Sequence, residues 1–198
     1  MKPNHPPSFQ LSCGRRKYMN KILLAIVSAM FPVYLSGQFI TGISANIAST
    51  ADDAIDFGTG INLSAGYALN DRLELDIQAH RYWIRSFNWN NLNSLSLHAR
   101  FSPFHGGYLR PYLDFGAGLA RLTGDPITIS DNGQTTFDID YDLWLFKPKL
   151  GMIMPSGFHP DFFVDVGVFY EHFNYRDVDN SINWYGITVG LKWIIPHN

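Results

Sequence analysis

One cysteine in 198 residues, Cys13, leaves this chain almost without sulfur chemistry. A lipoprotein anchor needs an apolar run ahead of its cysteine, and residues 1–10 are polar and proline-rich. Downstream of Cys13 there is no thiolate nucleophile, no disulfide and no thiol-built metal site. Bases are scarce as well. Lys2, Arg15, Arg16, Lys17 and Lys21 all lie within residues 1–37, which hold no acid, so residues 38–198 carry ten bases against seventeen acids, a net charge of −7. That balance has no electrostatic footprint for nucleic acid. Long apolar runs are missing too: after residue 38 none approaches the roughly 18 residues of a membrane-spanning helix.

What is present begins with a leader. Residues 19–38 combine a short basic start, an apolar stretch and small residues at Ser36 and Gly37, which is the pattern of a secretory signal peptide. Pro32 interrupts the stretch and argues against a membrane anchor. Cleavage after Gly37 leaves a mature chain of residues 38–198, about 160 residues and enough for one domain. Residues 1–18 have no periodic pattern, so Met19 is expected to be the true start and residues 1–37 to be extension plus signal.

The mature chain is built from alternation. Residues 184–193 place Tyr185, Ile187, Val189, Leu191 and Trp193 on one side of an extended strand and Trp184, Gly186, Thr188, Gly190 and Lys192 on the other. The same pattern recurs over 39–50, 58–69, 73–86, 92–103, 108–122, 143–154 and 161–175. Short connections (70–72, 104–107, 155–160) alternate with mostly longer ones (51–57, 87–91, 123–142, 176–181). This rhythm predicts an all-β fold, an eight-stranded antiparallel up-and-down transmembrane β-barrel. Pro148, in mid-strand, removes one ladder donor and predicts a bulge or local irregularity.

A soluble barrel of lipocalin type would turn the apolar face inward; a membrane barrel turns it outward. Three features favour the second. Ten glycines share the polar face, where a water-exposed strand would only be weakened by them. Five acids (Glu74, Asp76, Asp114, Asp165, Glu171) and five bases (Arg100, Arg110, Lys147, Lys149, Lys192) share it too, which suits mutual pairing in a confined lumen. Aromatics gather at both ends of the apolar face, with Trp83, Trp144, Tyr170 and Tyr185 at one end and Tyr67, Phe101, Phe162 and Trp193 at the other, as two interfacial girdles require.

Two segments carry a family resemblance: Tyr108-Leu-Arg-Pro-Tyr-Leu-Asp-Phe-Gly-Ala-Gly-Leu119 and Gly186-Ile-Thr-Val-Gly-Leu-Lys-Trp193. Through them the mature chain resembles the small eight-stranded outer-membrane barrels of the OmpA, OmpX and OmpW type. The resemblance implies export to the outer membrane of a Gram-negative cell, contact with its lipid and lipopolysaccharide, and delivery by the barrel-insertion machinery. Many members end on an aromatic residue; here Ile-Ile-Pro-His-Asn follows Trp193.

For function, a lumen plugged by paired charges predicts a non-enzymatic barrel with a structural, adhesive or envelope-stabilising role. A narrow small-solute or ion channel is the alternative, and a lipid A-modifying enzyme ranks below it. Tyr170-Glu-His-Phe-Asn174 resembles the lipid A deacylases, in which a nucleophilic serine follows the histidine by two residues. His172 matches, but Asn174 stands in the serine's place and supplies no nucleophile. Arg81, Arg85, Arg121 and Arg176 point outward by parity at the external strand ends, where guanidinium forks suit lipopolysaccharide phosphates. His80 and His98 fall on the lumen face as structural histidines. Asp125, Asp131, Asp138, Asp140 and Asp142 make 123–142 an acidic loop; it lacks the glycine and closing glutamate of a calcium loop. No metal and no cofactor is expected.

Overall fold

Strands with one apolar and one charged face leave no stable open edge, and closing the sheet on itself removes the edges altogether. The computed structural model describes residues 37–50, 57–85, 89–104, 108–130, 134–137, 139–176 and 180–195. The expectations about the leader, Met19 and Cys13, and about the last three residues, fall outside that range.

Ten strands follow in order: β1 (Gln38–Thr50), β2 (Phe57–Ala68), β3 (Leu73–Arg85), β4 (Trp89–Phe101), β5 (Arg110–Gly124), β6 (Ile127–Ser130), β7 (Gln134–Phe137), β8 (Asp140–Pro155), β9 (Phe162–Tyr175) and β10 (Ser181–Ile195). Eight of them close an antiparallel barrel in the order β1-β10-β9-β8-β5-β4-β3-β2. The seam joins the first and last strands, from Phe39↔Ile195 to Thr50↔Trp184. The eight predicted strands and the closed barrel are therefore found, each within a few residues of its expected bounds.

The segment 123–142 differs from its reading as a loop. β5 runs on to Gly124, β8 starts at Asp140, and between them β6 and β7 pair as a separate hairpin, Ile127↔Phe137 to Ser130↔Gln134. Both strands are rich in β-branched and aromatic residues, among them Ile127, Thr128, Ile129, Thr135, Thr136 and Phe137.

At Pro148 the expected local irregularity is found, as a lapse in pairing and not as a bulge. β5–β8 pairing runs straight through Phe115↔Pro148. On the other side, β8–β9 pairing skips from Phe146↔His172 to Lys149↔Phe169 without any change of register. The proline deletes ladder pairs and inserts no extra residue, so every side chain beyond it keeps its face.

The faces are sorted as a membrane wall demands. On β10, Tyr185, Ile187, Val189, Leu191 and Trp193 are all exposed, as are Leu95 and Leu97 on β4 and Leu113, Phe115 and Leu119 on β5. A soluble monomer rarely exposes more than a few hundred Å² of contiguous apolar surface, whereas this band runs round the barrel. Nine residues from Tyr185 to Trp193 fit one tilted crossing of about 9–11 residues. Trp193 stacks on Phe162 at the short-turn end, with centroids 5.5 Å apart. At the opposite end Tyr170 packs against Tyr185 at 5.1 Å.

Candidate functional site

The lumen is organised around Arg100. Its Nη2 lies 3.2 Å from Asp114 Oδ2 and 3.1 Å from Asp165 Oδ2, and its Nη1 lies 3.7 Å from Glu74 Oε2. The guanidinium plane also covers the Tyr112 ring at 4.1 Å. Strands β3, β4, β5 and β9 are thus tied through one side chain. Lys149 Nζ donates to both Asp165 oxygens at 3.2 Å, and Lys192 Nζ bonds Glu74 across the barrel from β10 to β3. The Tyr112 hydroxyl donates to Asp165. Burial of this many charges is tolerable only because each partner answers another.

Asp76 breaks that pattern. It is buried, yet its Oδ1 has no hydrogen-bond partner among the described residues. Beside it is a cavity of about 20 Å³ that Ser44, Ser64, Arg100, Asp165 and Lys192 also line, room for a single water.

A second layer lies nearer the long loops. Lys147 Nζ is 2.6 Å from Glu171 Oε1, which also accepts from the Tyr82 hydroxyl at 3.2 Å; Lys147 Nζ is 3.2 Å from His80 Nδ1. Between the layers, His98 connects Ser96 and Asp114: Nε2 is 2.9 Å from Ser96 Oγ and Nδ1 is 2.7 Å from Asp114 Oδ1. These are the residue types of a nucleophilic relay. Ser96 is 3% exposed and His98 1%, inside a packed lumen, and Asp114 is already held by Arg100. The geometry makes a structural hydrogen-bond chain. Close packing here requires glycine: a Cβ on Gly116 would overlap the His98 ring.

Of the ten charges read as lumenal, Arg110 stands apart. It is half-buried at the short-turn rim, 5.6 Å from the Phe163 ring, while Arg100, Asp114, Lys147 and Glu171 are almost fully buried.

Apart from Trp184, which alternation already placed on the lumen face, sequence reasoning missed the apolar half of the lumen. Tyr82, Leu92, Leu122, Leu143, Phe173 and Trp184 belong to one buried cluster at the long-loop end, and Tyr112, Ile153 and Phe163 form a smaller one at the other. Alternation hid the others, because near the strand ends both faces are apolar and parity carries no polarity signal.

On the outer rim, Arg121 donates from Nε to Asp140 Oδ1 at 2.7 Å, and Arg176 Nη1 is 3.6 Å from Asp142 Oδ2. That hydrogen bond, beyond the apolar belt, holds the Asp140 carboxyl below the usual carboxylate range. Arg81 has a weaker partner, Asn91 Oδ1 at 3.5 Å, and lies 5.7 Å from the Trp83 ring; Arg85 is exposed. Of the loop acids, Asp125 accepts from Asn90 Nδ2 at 2.7 Å, while Asp131 and Asp138 lie outside the described residues. Among the described residues no three His, Cys, Asp or Glu side chains converge on a common metal position. His172 faces outward, half-buried, with Nδ1 2.8 Å from Asn183 Oδ1, and Tyr170 donates to the same oxygen at 2.6 Å.

No protein-family model matches the chain, and no curated protein matches it in sequence. Among solved structures, Neisserial surface protein A superposes with a TM-score of 0.61 at 18% identity, over 80% of this chain and 98% of that one. The fold is that of the small eight-stranded outer-membrane barrels. The outer membrane enzyme PagL has a TM-score of 0.51 at 16% identity, covering 79% and 99%. A major outer membrane protein from Thermus thermophilus reaches 0.50 at 14% identity, covering 81% and 100%. Identities this low speak to architecture, and the barrels that share it include an enzyme.

Proposed function

We propose that this chain is a non-enzymatic outer-membrane barrel with a structural, adhesive or envelope-stabilising role, exported to the outer membrane of a Gram-negative cell. The observation that carries this reading is the lumen itself. Arg100 and its three carboxylates fill the cross-section, and the Trp184–Tyr82–Phe173 cluster caps it toward the long loops. Eight strands give an interior narrow enough for side chains to fill, and the buried charges and aromatics found there support that reading. A conducting path would have to break several buried ion pairs at once.

The test is conductance in planar bilayers, run beside heat-modifiable migration on a detergent gel. A heat-shifted barrel with no steady conductance is the expected result. Discrete channel openings favour the alternative, a narrow small-solute or ion channel.

The enzymatic reading draws on the outward His172, whose Nδ1 is oriented by Asn183. It lacks a nucleophile, because Asn174 occupies the position two residues on. Release of free fatty acid from lipid A by the purified barrel would reinstate it. Outward arginines at the long-loop end are proposed to meet lipopolysaccharide phosphates. Arg81 and Arg85 suit this best, since Arg121 and Arg176 already face Asp140 and Asp142.

A further inference from the structure

The lipid-facing wall carries a groove of about 660 Å³ across β5, β8, β9 and β10. Leu150, Val168 and Ile187 line it, and so does Pro148. Its origin is local. Pro148 projects outward by parity among larger side chains, and its short ring leaves a depression where they would otherwise close. The lapse in β8–β9 pairing falls at the same place.

Beside this hole stands a knob. Phe115 borders the groove and also a smaller one of about 160 Å³, whose lining includes the short side chains of Ala99 and Ala117. Standing between two depressions, Phe115 is 52% exposed. Phe115 and Pro148 are register partners on neighbouring strands, which puts their backbones about 5 Å apart. Knob and hole therefore lie side by side at one level of the wall.

We infer that this face is where a second copy of the chain docks. Both barrels cross the membrane in the same sense, so their two-fold axis lies along the membrane normal. Passing between β5 and β8, that axis sets Phe115 of each copy into the groove beside Pro148 of the other. A two-fold contact needs a surface complementary to itself, and an adjacent knob and hole supply one. Barrel strands tilt, so the two walls cross and only the rows near the axis meet. The contact is compact. Phe115, Leu150, Val168, Tyr185 and Ile187 together present about 500 Å², so two copies cover about 1,000 Å², the size at which specific interfaces begin.

Lipid tails are as apolar as the groove, so hydrophobicity favours neither occupant and packing decides. A tail loses conformational freedom when it lies in the groove, whereas Phe115 is already fixed on its strand. This inference rests on the outer-membrane location proposed above.

The test is fluorescence energy transfer between donor- and acceptor-labelled copies of the full chain in phosphatidylcholine vesicles, diluted stepwise with lipid. Cys13→Ser with His159→Cys places the label on an exposed short turn, away from the groove. Phe115→Ala removes the knob, Val168→Trp fills the hole, and Leu95→Trp alters the exposed wall of β4 outside both. Heat-shift on a gel reports folding of each. Wild type and L95W are expected to associate alike, while F115A and V168W each need at least about tenfold more protein per lipid. F115A mixed with V168W is expected to associate better than either alone, because the open groove of the first receives the Phe115 of the second. Equal weakening in L95W, or a mixture no better than its components, overturns the interface. Heat-shifted wild type with no more transfer than random mixing gives is a monomer; that result leaves the groove to lipid tails, overturns the interface and leaves the location standing. In cells, unshifted protein in the soluble fraction overturns the location, and the interface with it.

Discussion

Lys147 and Glu171 stand opposite each other where the β8–β9 ladder lapses, and their ion pair at 2.6 Å bridges the two strands on the lumen side. Pro148 takes away a backbone donor, and a side-chain contact joins the strands at the same level. Lys147→Met leaves Glu171 buried and unpaired, at a cost of about 3–5 kcal/mol. The double variant with Glu171→Gln is expected to recover much of that loss. Urea unfolding of the four proteins in lipid vesicles forms a double-mutant cycle, and strictly additive losses would falsify the coupling.

Arg100 and Arg110 share a face and a charge, yet they differ in what depends on them. Arg100 answers three carboxylates, whereas Arg110 lies half-buried at the rim beside Phe163. Arg100→Gln is expected to cost about 3–5 kcal/mol, in the range for breaking a buried pair. Arg110→Gln is expected to stay within about 1 kcal/mol, since a rim charge that keeps contact with water and answers no buried carboxylate contributes little. Unfolding midpoints in the same vesicles check the ranking, and equal shifts would show that the hub distributes no load.

Gly116 gives His98 its place. A methyl group there would overlap the imidazole that connects Ser96 to Asp114, so Gly116→Ala is expected to destabilise by about 1–3 kcal/mol through overpacking. Ala117→Leu, one residue on and facing out, adds more volume and is expected to move stability by less than about 0.5 kcal/mol. If A117L proves the costlier of the two, the assignment of faces on β5 is wrong.

The wall was legible in the sequence because its signal is repeated: eight strands, period two, apolar to one side. The lumen was legible only where that face is charged. Arg100 and Asp114 stood out by polarity, and Glu74 lies opposite Arg100 on the neighbouring strand, but nothing marked Arg100 as the hub, since Asp165 on β9 reaches it only across the closed lumen. Tyr82 and Phe173 were invisible for the opposite reason, as apolar residues on a face whose polarity defined it, whereas Trp184 was already placed on that face by alternation. Ser96 and His98 sit two residues apart on one face, and their link to Asp114 follows once β4 and β5 are placed in register. The groove at Pro148 depends on side-chain volumes from four strands, a property no single segment displays.

Asp76 is the acid that the lumen does not answer with a base. Glu74, Asp114, Asp165 and Glu171 each have a Lys or Arg within 4.0 Å, whereas Asp76 has no such ion pair among the described residues and one unpartnered oxygen. Asp76→Asn keeps the shape and removes an uncompensated charge, so it is expected to leave the barrel as stable as wild type or more so. Asp114→Asn strips Arg100 and His98 of a shared acceptor and is expected to cost about 3–5 kcal/mol. Opposite signs in paired unfolding curves support the distinction. A large loss in D76N would mean that its charge is answered by a bound water or ion in the adjoining cavity.

The outward arginines divide by partner. Arg121 and Arg176 are already engaged by Asp140 and Asp142, and a lipid phosphate would have to displace a carboxylate to reach them. Arg81 and Arg85, four residues apart on β3, face no carboxylate in any described ion pair. The double substitution Arg81→Gln and Arg85→Gln is therefore expected to weaken retention of phosphorylated lipopolysaccharide by about tenfold or more, the worth of a charge-assisted hydrogen bond. Arg121→Gln with Arg176→Gln is expected to change it far less. The difference should shrink in high salt, which screens exposed charges, and it should vanish for dephosphorylated lipid. Co-purified lipid measured at two salt concentrations separates these outcomes. If the β5 and β9 arginines matter as much as those of β3, then Asp140 and Asp142 orient the guanidinium groups toward the phosphate and do not compete with it.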